Sequence, residues 1–99
     1  MPDAPVFLCV LLWARPGRSD ALGAYEDKVL NLLPDHGAVV LQRGTVSPVG
    51  DDAPTEVQFI EFPSQAALDA YTSDPRRTAM APERDAAVAR TDIYPVHLS

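Results

Sequence analysis

Two oppositely charged residues among β-branched and aromatic neighbours are the first candidates for chemistry in this chain. Arg43 and Glu61 flank a polar loop at an even separation. If their strands pair about a turn centred near Asp51, both side chains fall on one sheet face with Val39, Leu41, Val57 and Phe59. Apolar surroundings disfavour the charged form of a carboxyl group. That would make Glu61 a proton acceptor and Arg43 the stabiliser of the anion or enolate it creates. A buried ion pair, or a dimer-interface contact that fixes register, has the same signature and needs no ligand. His36 stands just before Gly37 at an expected helix-to-strand turn. An imidazole there serves either as a cation at a helix C-terminus or as a general acid–base at a cavity mouth.

Arg76, Arg77 and Arg84 make a small basic cluster in an acidic chain, either solvated helix charges or an anion-recognising rim. His97 reads as an edge-strand residue, and Cys9 as an inert buried thiol among Leu8, Val10 and Leu11. No His-x-x-x-His, cysteine pair or EF-hand spacing occurs, so no metal site is expected. The G-x-S-x-G elbow, P-loop and G-x-G-x-x-G fingerprints are missing, so neither a nucleotide cofactor nor serine-hydrolase chemistry is expected. An enzyme built on this chain would use side chains, water and oxygen, with no cofactor.

The elements that must position these residues are readable from pattern. A first strand, Val6 to Trp13, is apolar on both faces, as in a central strand covered on each side. Arg15-Pro16-Gly17 breaks it. A helix from Asp20 to Leu33, capped by Ser19 or Asp20, then buries Leu22, Tyr25, Val29 and Leu32 at three- and four-residue spacing. Pro34 and Gly37 end that helix. Strand Ala38 to Val46 leads through the hairpin loop from Ser47 to Pro54 into strand Glu56 to Phe62. Pro63 stops the ladder for want of an N–H, and Ser64 caps a helix from Gln65 to Ser73 carrying Tyr71. Asp74-Pro75 restarts helix as a cap and first-turn pair, and Pro82 interrupts it before Glu83 to Arg90. A last strand is expected from Asp92 to Leu98. The spacing of Tyr25 and Tyr71 makes them core residues first, with hydroxyls that still need partners.

The order β-α-β-β-α-β predicts an α+β, ferredoxin-like single domain: a four-stranded antiparallel sheet with its helices on one face. With no element left for the other face, a second copy of the chain is the economical cover, so a homodimer is expected. Composition limits the remainder. Apolar content of 46% fits a globular domain, and a net charge of −6, from 14 acidic and 8 basic residues, argues against nucleic acid or an anionic membrane as partner. The longest apolar run, Pro5 to Ala14, is far short of the roughly 20 residues that span a bilayer and lacks the flanks of a signal peptide. One cysteine excludes an internal disulfide and fits a cytoplasmic setting. Arginine makes up all the basic residues except Lys28, a usage typical of GC-rich coding sequences such as those of actinobacteria.

The segment EFPSQAALDAYTSDP, from Glu61 to Pro75, followed by Arg84, resembles the proteins grouped as domain of unknown function 1330. These belong to the dimeric α+β barrel superfamily, with the antibiotic biosynthesis monooxygenases, muconolactone isomerases and polyketide cyclases as more distant relatives. The resemblance covers most of the chain and is sharpest from Val57 to Arg84, at Glu61-Phe62-Pro63-Ser64, Tyr71, Ser73 and Arg84. Arg77 departs from it, since members often carry an aromatic or histidine soon after the Asp-Pro turn. The resemblance implies two sheets packed into a barrel and a cavity in each protomer between sheet and helices. It does not imply one chemistry. By analogy with cofactor-free oxygenases, Trp13, Tyr25, Tyr71 and Arg84 could wall that cavity, and Arg77 would alter its ligand. Three functions stand at this level: a cofactor-independent enzyme on a small aromatic or enolisable metabolite, a non-catalytic small-molecule binder, and a structural or regulatory dimer.

Overall fold

Strand β1, Val6–Ala14, alternates cleanly: Leu8, Val10 and Leu12 are buried, whereas Phe7, Cys9, Leu11 and Trp13 are partly exposed. In the computed structural model, which describes residues 4–47, 49–50 and 52–98, the buried set packs under helices and the other set does not. β1 lies inside a four-stranded antiparallel sheet ordered β2-β3-β1-β4, with β2 spanning Val39–Thr45, β3 Glu56–Phe62 and β4 Val88–Val96. Helices α1 (Ser19–Leu30), α2 (Gln65–Thr72), α3 (Pro75–Thr78) and α4 (Ala81–Ala87) follow in chain order. Leu22, Tyr25 and Val29 of α1, Tyr71 of α2 and Ala87 of α4 close one core with Leu8, Val10, Leu12, Ile60 and Phe62. This is the expected ferredoxin-like βαββαβ architecture with its helices on one sheet face.

Local chemistry explains most boundaries. Ser64 caps α2, its Oγ accepting from Ala67 N at 3.0 Å. Asp74 caps α3 by accepting from Arg76 N at 2.9 Å, with Pro75 in the first turn. Other boundaries correct the expectation. Arg18, not Ser19 or Asp20, occupies the cap position of α1, without a side-chain bond. That helix stops at Leu30, and Leu33–His36 forms a separate 3-10 turn around Pro34, closed by Gly37 at φ 70°. β4 begins at Val88 instead of Asp92, because β1 runs on to Ala14 and offers Val88 a ladder partner. β4 ends at Val96, so His97, expected on an edge strand, lies just past it and is exposed.

Two placements differ in consequence. The β2–β3 register shifts between Val40 and Gln42, a bulge at Leu41. One extra residue inverts the alternation, so Arg43 pairs with Gln58 on the helix face while Glu61 pairs with Val39 and Phe7 on the other. The expected Arg43–Glu61 pair is therefore not formed; the turn centre assumed for it, Asp51, lies outside the described residues. Cys9 sits opposite Phe59 and Tyr94 on the open face, partly exposed instead of buried. Among the described residues no helix covers that face, where Val39 is 50% and Tyr94 52% exposed.

Candidate functional site

A cavity of about 80 Å³ lies between the sheet and the helices. Its floor is Leu8, Val10 and Leu12 of β1 with Gln58, Ile60 and Phe62 of β3, the residues that strand alternation turns toward α1. Tyr25, Glu26 and Val29 of α1 form one wall; Tyr71 of α2, Arg77 of α3 and Arg84 of α4 complete the others. It opens to solvent beside Thr72, Thr91 and Ile93, which are exposed.

The polar groups in this apolar box are few and specific. Glu26 is buried on the helix stripe of Leu22, Tyr25 and Val29. Gln58 Nε2 donates to Glu26 Oε1 at 2.7 Å and to Glu56 Oε2 at 2.7 Å. Burial pushes the Glu26 carboxyl above its ordinary range; the Gln58 hydrogen bond opposes this, and the neighbouring Glu56 charge adds to it. Glu56 is compensated differently. Arg43 Nε donates to it at 2.7 Å, while Arg43 Nη1 donates to Asp27 at 2.6 Å. The Glu56 contact, ahead of the Asp27 one, holds the Arg43 guanidinium firmly protonated.

Arg77 supplies the cation. Its guanidinium lies 5.2 Å from the centre of the Tyr71 ring, and Nη1 reaches Thr72 O at 3.4 Å. Its Nε is buried and has no hydrogen-bond partner among the described residues, an arrangement that native proteins rarely leave unfilled. The Tyr25 and Tyr71 hydroxyls are both pushed above the usual phenol range, first by burial and against the pull of Arg77. They therefore remain protonated donors at neutral pH.

The residues singled out from sequence are thus divided by the sheet. Tyr25, Tyr71, Arg77 and Arg84 meet at the cavity. Arg43 reaches it only through Glu56 and Gln58. Trp13 is on the opposite face, its Nε1 donating to Asp52 O at 2.9 Å and its ring 4.6 Å from the Arg90 guanidinium. Glu61 shares that face. His36 is not part of the cavity lining: its Nε2 lies 2.8 Å from Asp74 Oδ2 and its ring meets the edge of Tyr71 at 5.8 Å. Arg76, with His36 adding to it, holds the Asp74 carboxyl well below the usual carboxylate range, so this cluster anchors the start of α3. Glu26 and Gln58 were missed. Their signals were a charge on a buried helical stripe and a polar residue in phase with Ile60 and Phe62. Among the described residues no group of three His, Cys, Asp or Glu side chains could hold a metal ion, and no helix is long and apolar enough to cross a membrane.

Comparison with known proteins adds the family. Residues 14–96 match the model of the domain of unknown function DUF1330. The chain belongs to this family. This DUF1330 member matches no curated protein in sequence. Its fold is similar to that of a protein of unknown function from Rhodopseudomonas palustris, at 23% identity and a TM-score of 0.79 over 95% of this chain and 82% of that one. A dimeric protein of unknown function with a ferredoxin-like fold from Bacteroides fragilis aligns at 12% identity and TM-score 0.71, over 99% of this chain and 100% of that one. SnoaB, a cofactor-independent oxygenase from Streptomyces nogalater, aligns at 8% identity and TM-score 0.70, over 97% and 96% of the two chains. At these identities the likeness concerns the fold alone.

Proposed function

We propose that this DUF1330 member is a homodimer that binds a small anionic metabolite between its sheet and helices and acts on it without a cofactor. The observation that carries this reading is the unpartnered, buried Arg77 Nε in an otherwise apolar cavity that also holds two tyrosines and a buried carboxyl group. A bound oxyanion would satisfy that N–H, and Tyr25 would add a neutral donor, whereas the Tyr71 hydroxyl already donates to Val29 O at 3.5 Å. Monooxygenase, isomerase or cyclase chemistry on an aromatic or enolisable compound fits such a site, and a cofactor-independent oxygenase of similar fold supports this reading. Glu26 takes the acid–base role first expected of Glu61, because Glu61 faces away from the cavity. A carrier without turnover would use the same cavity. The buried, electrostatically perturbed Glu26, which simple binding does not require, favours turnover.

The dimer in this proposal is formed by the open sheet face, where Phe7, Leu11, Val57 and Phe59 remain only partly covered in one chain. Its support is that apolar face together with the dimeric relative of the same fold. Native mass spectrometry of freshly purified protein is expected to give the mass of two chains plus a small molecule released on denaturation. Arg77→Met is expected to retain the dimer and reduce ligand occupancy about tenfold or more, in line with loss of a charge-assisted hydrogen bond. A single-chain mass would remove the dimer. Ligand-free wild-type protein, or undiminished occupancy in the variant, would remove the anion site.

A further inference from the structure

The cavity is small, and two polar groups of opposite kind border it: Arg77 Nε, buried without a partner among the described residues, and the Glu26 carboxyl group. The cavity volume of about 80 Å³ is some two to three times one water's share of the liquid and well under the roughly 150 Å³ that admits benzene. A compact acyclic molecule fills such a space more completely than an aromatic ring, which would have to protrude through the opening beside Thr72, Thr91 and Ile93. Arg77 Nε calls for an oxyanion. Glu26, only 5% exposed, has Oε1 fixed by Gln58, and among the described residues no hydrogen bond reaches Oε2. The cation comes from α3 and the carboxyl group from α1, both bordering the same space. A ligand that satisfies both is a short anion with an acidic C–H near its charged end.

Resting on the reading of the cavity as a ligand site, we propose that it takes a short-chain 2-oxo acid and that Glu26 moves a proton to and from the carbon beside the carbonyl. The ligand carboxylate accepts from Arg77 Nε. Glu26 Oε2 takes the C3 proton, the C–H electron pair becomes the C2–C3 double bond, and the carbonyl π pair moves onto O2. Tyr25 and Arg77 supply the donor and positive charge that stabilise this enolate, with the Tyr71 ring, whose hydroxyl donates to Val29 O at 3.5 Å, as a wall. Return of the proton to C3 regenerates the oxo acid, and no oxidant or reductant is consumed.

Gln58 is a positioning residue. Its amide spans Glu26 and Glu56, while Arg43 offsets the Glu56 charge. Glu26 is thereby held beside a second carboxylate whose charge is already paired. The charged and titratable groups around Glu26 are Glu56 on β3, Arg43 on β2, Arg77 on α3, Arg84 on α4, Tyr71 on α2 and Tyr25 beside it. Desolvation outweighs Arg43 and Arg77 and favours the proton on Glu26, which suits a base whose conjugate acid must hold a proton for return.

The probe is pyruvate, the smallest 2-oxo acid with an enolisable carbon, added in D2O to the full chain. Proton NMR follows the ring signals of Tyr25 and Tyr71, assigned through Tyr→Phe variants, together with loss of the pyruvate methyl signal. Wild type is expected to show shifts at both tyrosines and methyl exchange faster than in buffer. Glu26→Gln should retain the shifts and slow enzyme-dependent exchange by about 100-fold or more. Gln58→Leu should displace the pH at which exchange is half-maximal, a change that loss of packing alone would not produce. Tyrosine shifts without exchange, or full exchange in Glu26→Gln, would overturn the proton-transfer role and leave the ligand site standing. No tyrosine shift at millimolar pyruvate would overturn the 2-oxo-acid class and weaken the ligand site with it.

Discussion

At the scale of single residues, Glu26 separates function from stability. Burial raises its carboxyl pKa in the folded chain, so the folded state binds this proton more tightly than the unfolded state does. Its contribution to stability is then complete below the ordinary carboxylate range and is lost as pH rises through the folded value. Glu26→Gln keeps an acceptor for Gln58 and removes the ionisation. Thermal unfolding should show the variant more stable than wild type near pH 7, by on the order of 1 kcal/mol or roughly 4–8 °C in Tm. Near pH 4 the two should converge. A lower Tm for the variant at pH 7 would make the ionised carboxylate a structural partner. Asp74 has the opposite sign: Arg76 and His36 hold its pKa low. Its contribution is present above the ordinary carboxylate range and disappears on acidification through the folded value.

At the scale of elements, caps and alternation governed what could be read from the sequence. β3 was legible because the β-prone residues Val57, Phe59, Ile60 and Phe62, with Gln58 and Glu61 interleaved, run up to Pro63, and α2 because Ser64 opens it. Ser64→Ala should lower stability by about 1 kcal/mol in a denaturant titration, through loss of the bond to Ala67 N. An unchanged midpoint would mean that water replaces that bond at no net loss. The bulge at Leu41 was not legible. It carries no glycine and no break in composition, yet it carries Arg43 across the sheet and away from Glu61. Glu26 was hidden differently: charged residues on helices are usually solvated, and its burial depends on Gln58, from a strand read for its apolar members. Four of the five residues expected to bind substrate nonetheless line the cavity, because Tyr25, Tyr71, Arg77 and Arg84 sit on helices whose limits were marked by Pro, Ser and Asp.

At the scale of the whole molecule, the chain is a two-layer slab with Cα extents of 46 × 34 × 16 Å. Phe59 lies on the open sheet face, across the ladder from Cys9 and Gln42. Phe59→Asp is expected to convert the two-chain mass into one while far-UV circular dichroism stays unchanged, since the residue lies outside the buried helix-side core. A variant that remains dimeric would place the contact on another surface.

Trp13 is the only tryptophan in the chain, and it lies on the open face under Arg90, with β1 between it and the cavity. Intrinsic fluorescence excited at the red edge therefore watches one side of the molecule alone. A change in its emission colour reports water leaving or reaching that face. Occupancy of the cavity has to be followed through the tyrosines.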